Sequence, residues 1–288
     1  MDEREALRLL ASDLPHAGDD AAVVGSTAIT TDMLHESTDF PVGTTRYTAG
    51  WRSVGASLSD LAATGADPTA AVAAYADQSF VDSELRAFVD GAKTVCASVG
   101  ADYVGGDLDN HSEFTVTTTA IGEVDQPVSR SGAEPGDLVC VTGTLGRSAA
   151  ALALFEQGET DRANELFRFP PRIETGRRLA GTATALMDSS DGLARSLHQL
   201  AEASDCGFAI NRDSVPIDAS VETLDLDRWE AGVHFGEDFE LVCTVPKAAL
   251  EAVQTDSPTP LTVIGEVTDA KAGVTVDGDP LADRGYTH

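Results

Sequence analysis

The stretch Ser53-Val54-Gly55-Ala56-Ser57-Leu58-Ser59-Asp60-Leu61-Ala62-Ala63-Thr64-Gly65-Ala66-Asp67-Pro68 is built almost wholly of small residues, with one carboxylate, Asp60, at its centre. It predicts a helix over 46–64, ended by Gly65 and followed by Pro68. A carboxylate on so closely packed a helix has to be paired or metal-bound, because burying it alone is costly. An aspartate capping a neighbouring loop would meet the same need, and the stretch by itself leaves both readings open.

Outward from that helix, residues 21–24 and 27–31 read as short strands, 70–75 as a strand, and 83–99 as a helix that starts at an Asp/Ser cap and stops at Gly100. Residues 101–105 and 113–123 read as strands, the second with a Thr-rich alternation. The order β-β-α-β-α-β-β predicts an α/β unit with mixed strand pairing. Residues 2–13 read as an amphipathic helix with Leu7, Leu10 and Leu14 on one side and Pro15 as its stop. The turn-rich run Gln126-Pro127-Val128-Ser129-Arg130-Ser131-Gly132-Ala133-Glu134-Pro135-Gly136-Asp137 marks the expected boundary between an N-terminal domain, 1–136, and a C-terminal domain, 137–288. The second unit reads as strand 138–142, a turn, helix 147–157, helical residues 160–181 around Pro170-Pro171, strand 185–188, helix 192–203, and strands near 207–211, 239–245 and 260–268. No internal repeat or low-complexity segment stands out.

Composition narrows the class. The 288 residues carry a formal charge of −29 with only three lysines, Lys93, Lys247 and Lys271, yet 42% of the chain is hydrophobic, enough for a full core. Acidity spread along a well-patterned chain is the mark of a surface adapted to concentrated salt, where self-repulsion is screened; an ordinary acidic protein is the plainer alternative. Nucleic acids and anionic membranes both need basic patches, so neither is expected as a partner. The four cysteines, Cys96, Cys140, Cys206 and Cys243, are dispersed without a CxxC pair and read as buried small hydrophobes. The opening Met1-Asp2-Glu3-Arg4-Glu5 is not that of a secretory signal, and no apolar run nears the length of a membrane span, so a soluble cytoplasmic protein is expected.

Seven aspartates recur in five short motifs: Gly18-Asp19-Asp20, Thr30-Thr31-Asp32, Leu58-Ser59-Asp60, Gly105-Gly106-Asp107 and Asp188-Ser189-Ser190-Asp191-Gly192. Each joins a carboxylate to Gly, Ser or Thr. Hard divalent cations take oxygen ligands, and nucleotide phosphates accept backbone N–H bonds, so the combination suits both. Carboxylates repel a polyphosphate directly and can hold it only through Mg²⁺. Each motif also has a plain reading: an acidic turn for Asp19-Asp20, a solvated strand end for Thr30-Thr31-Asp32, a tight turn for Gly105-Gly106-Asp107, an N-cap for Asp188 to Gly192. Together they read as a metal-dependent nucleotide enzyme. Val141-Thr142-Gly143-Thr144-Leu145-Gly146-Arg147-Ser148 is neither a Gly-Lys-Ser/Thr phosphate loop nor a clean GxGxxG, so the ordinary P-loop and dinucleotide-binding readings fail.

In order and spacing the motifs resemble the thiamine-monophosphate kinase family, within the superfamily that also holds aminoimidazole-ribonucleotide synthetase, selenophosphate synthetase and a hydrogenase-maturation carbamoyl dehydratase. The blocks that carry the resemblance are GDDAAVV, TTDML, LSDLAATGADP, GGD, SRSGAEPGD, VTGTLGRSAAAL, MDSSDGLARSL, ASDCG, GEDFEL and the terminal GYTH, spanning Gly18 to His288. The resemblance implies a two-domain aminoimidazole-ribonucleotide-synthetase-like α/β fold (α+β in its mixed sheets), a homodimer whose N-terminal sheets join across the two-fold axis, and several Mg²⁺ ions around the triphosphate of ATP. It implies transfer of the γ-phosphate to thiamine monophosphate, giving thiamine diphosphate. By the same resemblance Asp20, Thr30, Thr31, Asp32, Asp60, Asp107, Asp188 and Asp191 would be metal ligands. Gly106, Asp107, Arg130 and Ser190 would contact ATP, and Glu237 and Tyr286 would fall at the thiamine phosphate site. One position departs from the pattern: where the family commonly has His in a segment D-x-L-x-x-x-x-H-F, this chain has Asp39, which could instead pair with the cationic thiazolium or the aminopyrimidine. The first motif also lacks the usual preceding glycine.

Both reacting groups are phosphates, and the acceptor oxygen is already ionised near neutral pH, so no catalytic base is expected. Selenophosphate synthetase would need a reactive Cys or selenocysteine near the N-terminus, and the dehydratase a C-terminal Cys; neither is present. Aminoimidazole-ribonucleotide synthetase stays open on the ATP-site motifs alone, with Gly236-Glu237-Asp238-Phe239-Glu240-Leu241 and Gly285-Tyr286 favouring the thiamine reading. The non-enzymatic alternative is an acidic divalent-ion-binding protein, which would respond to metal without nucleotide.

Overall fold

The computed structural model describes Leu14 and residues 16–285, so the expected helix over 2–13 and the site candidate Tyr286 lie outside the described residues. Two mixed sheets carry the architecture. The first has the order β1-β2-β5-β3-β4, with β1 Ala22–Val24, β2 Thr27–His35, β3 Asp67–Asp77, β4 Asp102–Asn110 and β5 Thr115–Glu123. Its pairings are antiparallel except β3 with β4, which run parallel. The second has the order β12-β11-β8-β10-β6-β9-β7, built on β6 Leu138–Thr142, β7 Ala185–Asp188, β8 Cys206–Ile210, β9 Leu241–Val245, β10 Leu261–Asp269, β11 Val274–Val276 and β12 Asp279–Pro280.

Helix α1, Arg46–Thr64, is the spine of the molecule. It ends where expected, at Gly65 in the left-handed conformation, and is buried on nearly every face. Small residues make that possible. At the crossing with α2, Asp82–Ser98, a Cβ on Gly50 would stand 2.1 Å from the carbonyl of Phe88, and one on Gly91 2.0 Å from that of Tyr47. Backbone therefore meets backbone there. The expected Asp/Ser cap of α2 is not formed: the N-cap is Val81, and Asp82 instead pairs with Arg86 one turn on.

In the second half, α3 Arg147–Glu156, α4 Thr160–Phe167, α5 Ile173–Leu179 and α6 Leu193–Ser204 follow. Pro170 and Pro171 fall between α4 and α5 and split what was read as one helical run, since neither can donate a helical N–H. The short elements at Ala219–Thr223, a π-helical turn at Glu230–His234 and Leu250–Asp256 carry no sequence signal strong enough to have been read. One core cluster runs through both sheets, from Ala21, Val54, Leu58 and Leu61 to Cys140, Leu186, Leu241 and Cys243. All four cysteines are buried free thiols, as expected.

Two strands run past the motifs that were expected to end them. β2 continues through Thr30-Thr31-Asp32 to His35, and β4 continues through Gly105-Gly106-Asp107 to Asn110. Strand alternation then sorts the side chains by face. The register aligns Asp32 with Thr118, Thr118 with Ala73, and Ala73 with Gly106, all on the face that α1 covers. Thr31 and Asp107 belong to the other face, aligned through Thr119 with Val72 and through Ala74 respectively.

Candidate active site

Asp60 projects from the last turns of α1, Asp20 from the loop before β1, and Asp188 from the last residue of β7. Each offers a carboxylate oxygen, and the three oxygens lie within 4.8 Å of one another. Three motifs separated by up to 168 positions thus converge on one point at the junction of the two sheets. The neighbours tune them. The Thr30 hydroxyl donates to Asp60 Oδ2 at 2.5 Å, and Ser57 Oγ donates to Asp32 Oδ2 at 2.7 Å. Burial, then the charges of Asp32, Asp188 and Asp20, push Asp60 well above the usual carboxylate range. Burial, then Asp20, does the same to Asp188, with the Ser59 hydroxyl and then Arg130 opposing. Asp32 is raised by burial, with Glu237 and Asp20 adding and the Ser57 bond opposing.

Such a basin holds more negative charge than its protein partners offset. Asp188 Oδ2 is buried with no hydrogen-bond partner among the described residues. An all-oxygen donor set with an orphaned carboxylate oxygen fits a hard divalent cation.

Arg130 is the counter-charge at the rim. Its Nε and Nη2 donate to Asp20 Oδ2 and Oδ1 at 3.2 and 2.8 Å, and its backbone N–H donates to Asp19 Oδ1 at 2.8 Å. Burial alone would lower the guanidinium; the carboxylates of Asp20, Asp188 and Asp60 outweigh it and raise it. Asp19 is therefore the strap that ties the first acidic loop to the Arg130 segment.

The loop after β7 is laced to the loop before β9. Ser189 N–H donates to the Glu240 carbonyl, Phe239 N–H to the Ser189 carbonyl, and Glu237 N–H to the Ser190 carbonyl at 2.6 Å. Ser190 and Asp191 are half-buried at this seam. Glu237 and Phe239 adopt positive φ, 63° and 53°, a conformation non-glycine residues keep only when their surroundings hold them in it. The holding contacts are specific. Glu237 Oε2 accepts from Arg52 Nη2 at 2.5 Å, Asp238 accepts from the Gly146 and Ser148 N–H groups at the start of α3, and Glu240 pairs with Arg172 and accepts from the Thr142 hydroxyl. The motif GEDFEL is thus a set of three anchored carboxylates.

Of the residues expected at a metal, Asp20, Asp60 and Asp188 are brought together, with Asp32 and Thr30 beside them. Thr31 is not: its hydroxyl donates to the Thr118 carbonyl on the opposite sheet face. Asp107 is not either, because three strand spacings of roughly 4.8 Å each separate its column from that of Asp32, and it points the other way. Gly106 has a structural reason to be glycine, since a Cβ there would stand 1.7 Å from the Ala73 carbonyl. Gly106 and Asp107 line a cavity of about 480 Å³ with Tyr75, Phe88, Lys93 and Tyr103. Asp39 is buried, and its Oδ2 accepts from His35 N–H and from the Thr38 hydroxyl, both at 2.7 Å, closing the turn Glu36–Asp39. The residue sequence reading missed is Arg52. The argument applied to Asp60, a charge in a helix of small residues, applies equally to it eight positions earlier.

Comparison with known proteins gives the family. Residues 18–124 match the family model for the N-terminal domain of AIR synthase related proteins, and 134–277 match the C-terminal one. The thiamine-monophosphate kinase of Halobacterium salinarum is 62% identical over the whole of both chains. That of Methanospirillum hungatei is 39% identical over 100% of this chain and 99% of its own. The chain belongs to the thiamine-monophosphate kinase family. The solved structure of AaThiL complexed with AMPPCP and TMP superposes with a TM-score of 0.90 at 27% identity, covering 100% of this chain and 97% of that one. In this member of the family, the triad of Asp20, Asp60 and Asp188 sits where the two halves of the chain meet.

Proposed function

We propose that this chain transfers the γ-phosphate of ATP directly to thiamine monophosphate, with Mg²⁺ held by Asp20, Asp60 and Asp188. The observation that carries the reading is the convergence of those three carboxylates in a chain whose full-length relatives are thiamine-monophosphate kinases. Held by these carboxylates, Mg²⁺ would supply the charge neutralisation that transfer between two anions requires. The protein's own part is positioning. Asp32, steadied by Ser57, stands ready as a further ligand; Arg130 presents charge beside Asp20; Ser190 and the N-terminus of α6 face the phosphates. No side chain is needed as a base, since the acceptor oxygen ionises with a second phosphate pKa of about 6.

A cavity of about 470 Å³ suits the organic half of the acceptor. Ala149 and Ala153 of α3, the π-helical turn at Glu230 and His234, and Arg284 and Gly285 line it. Gly285 lies against the Asp191 carbonyl, and His234 against Gly192, so this cavity shares a wall with the loop that carries Asp188. Its acidic residues Glu156 and Asp227 suit a cationic thiazolium, while Glu230 is paired with Arg284. Asp107 and Gly106 enter this scheme from a second copy: Ile29, Met33, Val72 and Ile121 leave the outer face of the first sheet apolar and exposed, as a homodimer joined sheet to sheet requires, and Asp107 shares that face.

The test is single-turnover transfer from γ-labelled ATP to thiamine monophosphate with Mg²⁺ in molar KCl. Labelled thiamine diphosphate with no labelled protein is the expected result. Labelled protein would overturn direct transfer, and ATP-dependent conversion of formylglycinamidine ribonucleotide instead would move the chain to the purine branch of the superfamily.

A further inference from the structure

Arg52 is about 1% exposed, deep in α1, and is surrounded by rings: its guanidinium lies 3.6 Å from the centroid of Phe167, with Phe169 and Phe239 at 5.2 and 5.6 Å. Phe169 and Phe239 are themselves stacked, with centroids 4.2 Å apart. Arg52 Nη1 donates to the Phe167 carbonyl at 2.5 Å. Nη2 grips Glu237 twice, through Oε2 at 2.5 Å and the backbone carbonyl at 3.3 Å. Burying an arginine this fully costs more than one ion pair returns in a core that apolar residues could have filled, so stability alone is a poor reason for it. Its placement gives another reason. α1 carries Asp60, while Glu237 belongs to the loop whose backbone is bonded to residues 189 and 190, directly after Asp188. Arg52 is therefore a short covalent and hydrogen-bonded path from one metal ligand to another across the two halves of the molecule.

We propose that Arg52 is a positioning residue that, through Glu237, holds Asp188 in register with Asp60 and Asp20. The mechanism is geometric. The planar fork fixes both the carboxylate and the carbonyl of Glu237, and with them the positive φ of that residue. The Glu237 N–H to Ser190 and Phe239 N–H to Ser189 bonds then carry that fixed position to the end of β7. A lysine would keep the charge but lose the fork, and the loop would relax towards ordinary φ values, moving the third ligand out of place.

This inference rests on the Mg²⁺ reading above, and its test separates the two. Wild type, Arg52→Lys, Glu237→Gln and the double variant are melted in EDTA and across a Mg²⁺ series without nucleotide; KM for thiamine monophosphate, KM for ATP and kcat are then measured. Arg52→Lys and Glu237→Gln are each expected to raise the Mg²⁺ midpoint of thermal stabilisation about tenfold, with the double variant no worse than the poorer single one, as for two halves of one contact. Added Mg²⁺ should recover part of the lost kcat in Arg52→Lys. Variants that melt lower in EDTA yet keep the wild-type Mg²⁺ midpoint would make Arg52 a packing residue and overturn the proposal. Should Arg52→Lys not fold, the isosteric Glu237→Gln decides alone by the same midpoint. A wild type that shows no Mg²⁺ stabilisation would remove the metal reading, and this proposal with it.

Discussion

At the scale of single residues, the site is a trade between folding and function. Asp60 and Asp188 are buried among other carboxylates and raised well above their ordinary range. A group raised in the folded state stabilises it fully below the unfolded pKa, about 3.9 for Asp, and loses that contribution as pH climbs through the raised value. Metal binding needs the ionised form and so reverses the trend. The stabilisation gained on adding Mg²⁺, read as the rise in Tm over an EDTA sample, should be larger at pH 8 than at pH 5; an equal rise at both would mean the metal is not binding these carboxylates. Asp60→Asn and Asp188→Asn relieve the same repulsion. Each should melt higher than wild type in EDTA while losing about 10³-fold in kcat. Near wild-type turnover in either at saturating Mg²⁺ would sink the assignment. These residues were legible because a lone carboxylate in an apolar setting demands a partner wherever the chain takes it. That Thr31 and Asp107 face away from this cluster within one chain was not legible, because which side of a sheet a residue faces depends on how far its strand runs.

Strand length was the weakest point of the sequence reading at the level of elements. Polar runs such as Thr30-Thr31-Asp32 and Gly105-Gly106-Asp107 read as strand ends, because exposed polar residues and glycines usually are. Here the polar side chains find partners inside the sheet and on α1, as Ser57 with Asp32 and Thr31 with Thr118 show, so the strands lose nothing by continuing. The helix end at Gly65 reads more accurately, since it acts through backbone geometry that no distant contact can supply, whereas the break at Pro170-Pro171 inside 160–181 does not emerge from the helical reading. The same logic separates two roles for Gly106. If it is glycine so that β4 can pair with β3, Gly106→Ala drives a Cβ into the Ala73 carbonyl and costs about 1–3 kcal/mol in denaturant unfolding, as overpacking does. If it is glycine only to admit a phosphate, the variant keeps its stability and loses ATP affinity alone. The first outcome is expected.

The architecture of the whole molecule was legible as an order of elements, but how its halves meet was not, because it depends on contacts between distant positions, such as Arg52 with Glu237, 185 positions apart. What the whole chain does show in its sequence is charge. A net −29 with three lysines leaves its surface strongly self-repelling, and the ion pairs it forms there, such as Arg86 with Asp82 and Arg178 with Glu174, are exposed to solvent and offset little of it. Repulsion of this kind acts over the screening length, about 30 Å at 0.01 M salt, 10 Å at 0.1 M and 3 Å at 1 M. In dilute buffer every part of the molecule feels every other; in molar salt only neighbours interact. Tm should therefore climb steadily from dilute buffer to molar KCl, with partial unfolding at the dilute end. The measurement has to be made in EDTA, so that the metal site is silent, and repeated with tetramethylammonium chloride, whose bulky cation binds carboxylates poorly. Parallel curves for the two salts would assign the effect to screening; a rise with KCl alone would assign it to bound K⁺. A protein fully folded and active at 10 mM salt would show that the acidic surface is ordinary.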